Sequence, residues 1–282
     1  MTAEAAKSAG SGLKQRAVTA ALLVPLAVVA VLFVPNPWFA LWLCLLCSFA
    51  IVEWARLVGW RTLSLQLVVG AVGAALMAAV WFGGDRALRT ALAVGVCWWP
   101  LAGLWLANYS FGEQLRKRYL TLKTLAGLLS VVPAWSAAVL LHADESQGRR
   151  WVMFALVLVW CADVFAYFAG RAFGRTKIAP RISPGKTRAG VFGALSASVV
   201  FAAAAGTVLG QRGTGLLLLI ALSLVTVMFS IVGDLFESLI KRHSKVKDSG
   251  AVFPGHGGVF DRLDSLFAAL PVFVAGKLLL GI

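Results

Sequence analysis

Residues 214–236, TGLLLLIALSLVTVMFSIVGDLF, form one apolar run. Crossing a hydrocarbon core takes roughly 20 helical residues, so this run is long enough to span a bilayer. The chain then turns polar from Ser238 to Asp264, SLIKRHSKVKDSGAVFPGHGGVFDRLD, and becomes apolar again over 262–280. Upstream, the same reading places spans near 17–34, 38–55, 64–82, 90–107, 124–141, 151–170 and 190–210. Lipid offers the backbone no hydrogen bonds, which leaves helices or a closed barrel, and continuous apolar runs lack the alternation of barrel strands. The expected fold is therefore all-α, a polytopic integral membrane protein with about nine transmembrane helices. The third and fourth segments contain Gly and Pro, and a re-entrant course is their alternative.

Composition agrees: 60% hydrophobic residues, 13% charged residues and a mean hydropathy of +0.85 lie far from a soluble domain. The expected organisation is a disordered tail at 1–13, N-terminal transmembrane helices at 14–141 and a C-terminal catalytic region at 142–282. A cleaved signal peptide fits poorly, because the run from Leu22 to Val34 continues into Pro35, Asn36 and Pro37 without a small-residue cleavage site.

The net charge of +14 does not imply nucleic acid, because the basic residues are segregated by loop rather than gathered in one patch. Lys7, Lys14, Arg16, Arg56, Arg61, Arg116 to Arg118, Lys123 and the basic residues of 171–188 and 241–262 fall on one side. Arg86, Arg89, Arg149, Arg150 and Arg212 fall on the other. The positive-inside rule then puts the N-terminus and these loops in the cytoplasm, with the protein in the cell inner membrane and its charge facing anionic lipid. The cysteines lie in apolar stretches, and the single C-x-x-C of Cys44 and Cys47 is a weak redox or metal signal.

Two loops on that side carry the chemistry. Residues 170–190, GRAFGRTKIAPRISPGKTRAG, hold six basic residues and no acid, in a Gly, Ser, Thr and Pro-rich setting suited to phosphate oxygens. An ordinary topogenic loop is the alternative. A P-loop is rejected, since Pro180 stands where its first glycine is needed. The second loop has acids as well. Asp234 and Glu237 are three apart, as are Asp261 and Asp264, so two helix ends would offer carboxylates to a common point. Such oxygen ligands suit Mg²⁺, which takes one or two carboxylates and completes its shell with phosphate and water. Simple pairing of these acids with Lys241, Arg242 and Arg262 is the structural alternative. Zinc is disfavoured by three scattered histidines, His142, His243 and His256. His256, in the glycine-rich turn before Gly257 and Gly258, could meet a phosphate, act as an acid or base, or fix the backbone.

The run Ser238, Lys241, Arg242, Lys247, Asp248, Gly250, Phe253, Pro254, His256, Gly257, Gly258, Asp261, Arg262, Asp264 resembles the signature of the phosphatidate cytidylyltransferases, or CDP-diacylglycerol synthases. The resemblance extends through Gly233 to Ser238, Ser183 to Thr187, Asp163 with Ala166 and Tyr167, and more faintly Glu53 and Trp54. It implies a polytopic enzyme that uses CTP and Mg²⁺ to turn phosphatidate into CDP-diacylglycerol and pyrophosphate. It makes Asp234 and Asp261 the metal ligands, with Glu237, Asp248 and Asp264 as auxiliary acids. Lys241, Arg242, Lys247 and Arg262 would neutralise the triphosphate and the departing pyrophosphate, with His256 among the catalytic candidates. Asp163, Lys177, Ser183, Lys186, Thr187, Ser238, Gly257 and Gly258 would bind substrate. A monovalent cation beside Mg²⁺ and a homodimer are further expectations. The family usually follows SPGKT with tryptophan and then glutamate or glutamine, and follows Asp163 with serine or threonine. Here Arg188, Ala189 and Val164 stand at those positions. The competing classes are a divergent paralogue on another phospholipid, a CTP-dependent lipid kinase and a transporter.

Overall fold

A computed structural model describes residues 21, 23–114, 116–246, 248–250 and 257–282. The described residues contain a short apolar helix, α1 (Leu23–Phe33), and eight helices long and apolar enough to cross a membrane. These are α2 (Asn36–Val58), α3 (Leu63–Phe82), α4 (Gly84–Ala107), α5 (Lys117–His142), α6 (Gly148–Phe173), α7 (Arg188–Val208), α8 (Gly213–His243) and α9 (Phe260–Leu280). The chain is a polytopic helical membrane protein, as its hydropathy predicts. The tail at 1–13 and the start of the span expected near 17–34 lie outside the described residues. The third and fourth segments are full-length helices joined at Gly83, each long and apolar enough to cross a membrane.

Three helices outrun their apolar segments. α5 begins at Lys117 rather than near 124, α4 at Gly84 rather than near 90, and α8 continues to His243 rather than stopping near 236. Hydropathy marks only where lipid is met, whereas helical hydrogen bonding continues wherever side chains on the extra turns find partners. Lys123, assigned to a loop by hydropathy, is consequently inside α5 and 1% exposed. Residues 170–190 are not a plain loop either. They contain an antiparallel hairpin of β1 (Lys177–Ala179) and β2 (Ser183–Thr187), the sole sheet among the described residues.

α5 is the hub, the most deeply buried of the spans, and α9 is next. Tryptophans lock the bundle through their indole N–H groups: Trp54 donates to the Lys123 carbonyl at 2.7 Å, Trp99 to Phe267 at 3.0 Å and Trp135 to Ala40 at 3.0 Å. Each satisfies a donor that would be costly to leave bare in an apolar interior. The contacts also sort the helix ends. Ser244 meets Leu57, His243 meets Tyr109 and Arg242 meets Ile182, so the connections α2–α3, α4–α5, α6–α7 and α8–α9 share one end. His142 with Asn36 and Arg149 with Leu32 mark the other. The two loops expected to share a membrane side do share an end of the bundle.

Candidate active site

The close approach of α8 and α9 creates the site. A Cβ on Gly233 would stand 2.6 Å from the Asp264 carbonyl oxygen and 3.0 Å from the Ala268 Cβ, so glycine is what lets the two helices touch there. Asp234, the next residue, and Glu237, one turn along, face the acids that open α9.

The acids fall into two linked groups rather than one point. In the first, Lys241 bridges Glu237 and Asp261, its Nζ 2.9 Å from Glu237 Oε2 and 2.8 Å from Asp261 Oδ1. The side chains of Glu237 and Asp261 are 1% and 8% exposed. Loss of Lys241 would leave two buried carboxylates without their counter-charge. In the second group, Lys186 of β2 reaches across to Asp234, Nζ to Oδ2 at 2.6 Å, and Ser238 donates to Asp234 Oδ1 at 3.3 Å. Asp163 on α6 and Asp264 are within electrostatic reach of Asp234, with Lys186 and Arg262 opposing the acids at Asp163 and Lys241 doing so at Asp264. Glu237 and Asp264 interact in turn and join the groups.

Asp261 does more than hold Lys241. Its Oδ2 accepts from the backbone N–H of Ser249 at 3.0 Å and of Gly258 at 2.7 Å. Gly257 beside it has φ +78°, a left-handed conformation that glycine adopts without strain. Glu53, from α2, makes the matching contacts: Oε2 accepts from the Phe260 N–H at 2.9 Å and from Ser249 Oγ at 3.3 Å. Two carboxylates from distant parts of the chain thus cinch the neck of the segment between Ser249 and Phe260. Trp54, stacked on Phe260 with ring centroids 4.7 Å apart, seats Glu53.

Five residues expected to bind substrate, Asp163, Lys177, Ser183, Lys186 and Thr187, line one cavity of about 590 Å³ together with Asp234. Val164, Tyr167 and Phe168 on α6 are at least half exposed next to it. The departures from the family pattern at Val164 and Arg188 fall on exposed positions.

Other expected residues have structural work. Thr187 accepts from the Gly190 N–H at 3.1 Å and caps α7, so its hydroxyl serves the helix. Thr187→Ala should lower stability by about 1 kcal/mol, read as thermal denaturation in detergent, while activity per folded molecule is retained. Arg242 donates Nε to the Ile182 carbonyl at 2.9 Å and holds the hairpin turn against α8. Asp248 is exposed and lines another cavity with Arg56, His243 and Ser249, beside the neck that Asp261 holds. Lys247, Phe253, Pro254 and His256 lie outside the described residues. The role of Glu53 at the neck was not deduced from the residues, although an ionisable group inside a span was a signal that could have found it.

The sequence profile of the cytidylyltransferase family matches residues 14–279. The chain belongs to the cytidylyltransferase family. It is 39% identical over 268 residues to a protein of Pseudomonas aeruginosa named phosphatidate cytidylyltransferase, covering 93% of this chain and 96% of that one. A protein of the same name from Haemophilus influenzae is 35% identical over 283 residues, covering 93% and 97%. A third, from Staphylococcus epidermidis, is 39% identical over 145 residues, covering 51% of this chain and 55% of its own. The family match encloses every acid and base of the two groups.

Proposed function

We propose that this membrane enzyme transfers the cytidylyl group of CTP to phosphatidate, giving CDP-diacylglycerol and pyrophosphate. The observation that carries the reading is the meeting of Lys186 with Asp234 at a cavity bordered by exposed apolar side chains of α6. One wall suits phosphates and the other suits acyl chains. The acids gather at one end of the bundle rather than along a path through it, which favours an enzyme over a transporter.

A phosphatidate oxygen forms a bond to the α-phosphorus of CTP as the bond to the β-phosphate oxygen breaks and pyrophosphate departs. The protein's task is alignment and charge neutralisation. Lys186 and Lys177 would hold the lipid phosphate, with Lys241 and Arg262 on the triphosphate side. Ser238 orients Asp234, and Arg242 keeps the hairpin in place. No three carboxylate, imidazole or thiolate groups among the described residues are placed to cage a metal. A hard cation held by one or two carboxylates and completed by substrate phosphates fits this donor set. Asp234 and Asp261 are the residues that would hold such a Mg²⁺. When bound, the ion would neutralise phosphate charge. The basic end of the bundle would face the cytoplasm of a bacterial inner membrane.

Purified protein given labelled CTP, phosphatidate and Mg²⁺ should yield labelled lipid and unlabelled pyrophosphate from the β- and γ-positions. Chelation with EDTA should stop turnover. CDP together with a newly phosphorylated lipid would identify a kinase instead, and solute flux without nucleotide would identify a transporter.

A further inference from the structure

Outside the acid groups, three cations meet at the same end of the bundle. Arg56 from the last turn of α2, Arg61 from the α2–α3 turn and Lys123 from α5 line a cavity of about 440 Å³ with Trp60, Gln66 and Gln114. None of the lining residues is acidic. Among the described residues no carboxylate comes within 4.0 Å of any of the three. Exposed Glu113 acts on Lys123 only at longer range.

Lys123 is the informative member. A lysine 1% exposed normally has an anionic partner, because desolvating a lone ammonium is costly. Its backbone is pinned, with the carbonyl accepting from Trp54 and the next residue, Thr124, accepting from the Trp60 indole at 3.0 Å. The opposite wall is also set, since Gln66 donates to the Trp60 carbonyl at 2.7 Å. The cavity is therefore a built concentration of positive charge, with two guanidinium forks suited to the several oxygens of a phosphate.

We propose that this cavity binds a phosphate group, distinct from the substrates of the reaction centre, presented by an anionic lipid headgroup or as free phosphate. Arg56 and Gly59 also line the adjoining cavity that contains Asp248, Ser249 and Gly250. Occupancy would thus act next to the neck that Glu53 and Asp261 hold.

The test compares wild type, Lys123→Met, Arg61→Gln and, as a control, Arg118→Gln, whose exposed guanidinium lies outside the cavity. Each is placed in phosphatidylcholine nanodiscs and its melting temperature is read after adding phosphatidylglycerol to the bilayer or inorganic phosphate to the buffer. At least one anion should raise the wild-type midpoint by mass action. That shift should fall by more than half in Lys123→Met and Arg61→Gln and persist in Arg118→Gln. The arm that responds identifies the source. Should Lys123→Met fail to fold, the exposed Arg61 carries the comparison. Shifts equal in all four proteins, or none with either anion, overturn the proposal.

Discussion

Asp261→Asn should abolish cytidylyl transfer, a loss of about 10²- to 10³-fold or more, which is the scale of removing one fixed electrostatic element from a site. The substitution keeps the shape of the side chain and deletes its charge. Lys241 would then have Glu237 alone, having lost one of its two carboxylate partners. The amide nitrogen of asparagine would also put a donor where a carboxylate oxygen now accepts, facing either the Ser249 and Gly258 N–H groups or the Lys241 ammonium. The neck of the loop would loosen at the moment the charge is lost. Product formation from labelled CTP is the measurement, with circular dichroism confirming that the helices persist. Transfer close to the parent's rate would remove Asp261 from the reaction.

Gly258→Ala should be nearly as damaging, for a steric reason. A Cβ at this position would run into Glu53 Oε2 and Ser249 Oγ. These are the atoms that tie the loop to α2 and to the first N–H of α9. Overpacking of this kind costs typically about 1–3 kcal/mol, and here the displaced group is a buried carboxylate. Activity should fall more than stability, because the neck positions Asp261 while the aromatic core around Trp54 and Phe236 stays intact. Two side chains are struck, and shortening the larger of them should relieve part of the clash. The double variant Glu53→Ala with Gly258→Ala should lose less than the sum of the two single changes. Additive losses would show that the glycine is needed for another reason.

Much of this site could be read from the chain. Asp234, Glu237, Asp261 and Asp264 announce themselves as ionisable residues flanking membrane spans, where burial is costly enough to require a use. Lys177, Ser183 and Lys186 stand out as a basic, acid-free stretch, and the structure puts all three on one cavity. The pairings within the cluster could not be read. Spacing places Asp234 and Glu237 on one helix face, yet it cannot say that Lys186 goes to the first and Lys241 to the second. Lys123 was misplaced because a single charge at the edge of an apolar run looks the same whether the helix has begun or not. The partners of Glu53 could not be read either, since they lie some two hundred residues away.

What the sequence determined by itself is the class of fold, the end of the bundle where the charged residues gather and the kinds of group found there. Those follow from solvation, because apolar runs must meet lipid and charges must avoid it, and both are properties of local composition. What only the tertiary structure decided is which charge neutralises which, and that a glutamate from α2 and an aspartate from α9 close the same loop. Hydrogen bonds and ion pairs depend on ångström-scale distances between segments far apart in the chain, and helix packing sets those distances.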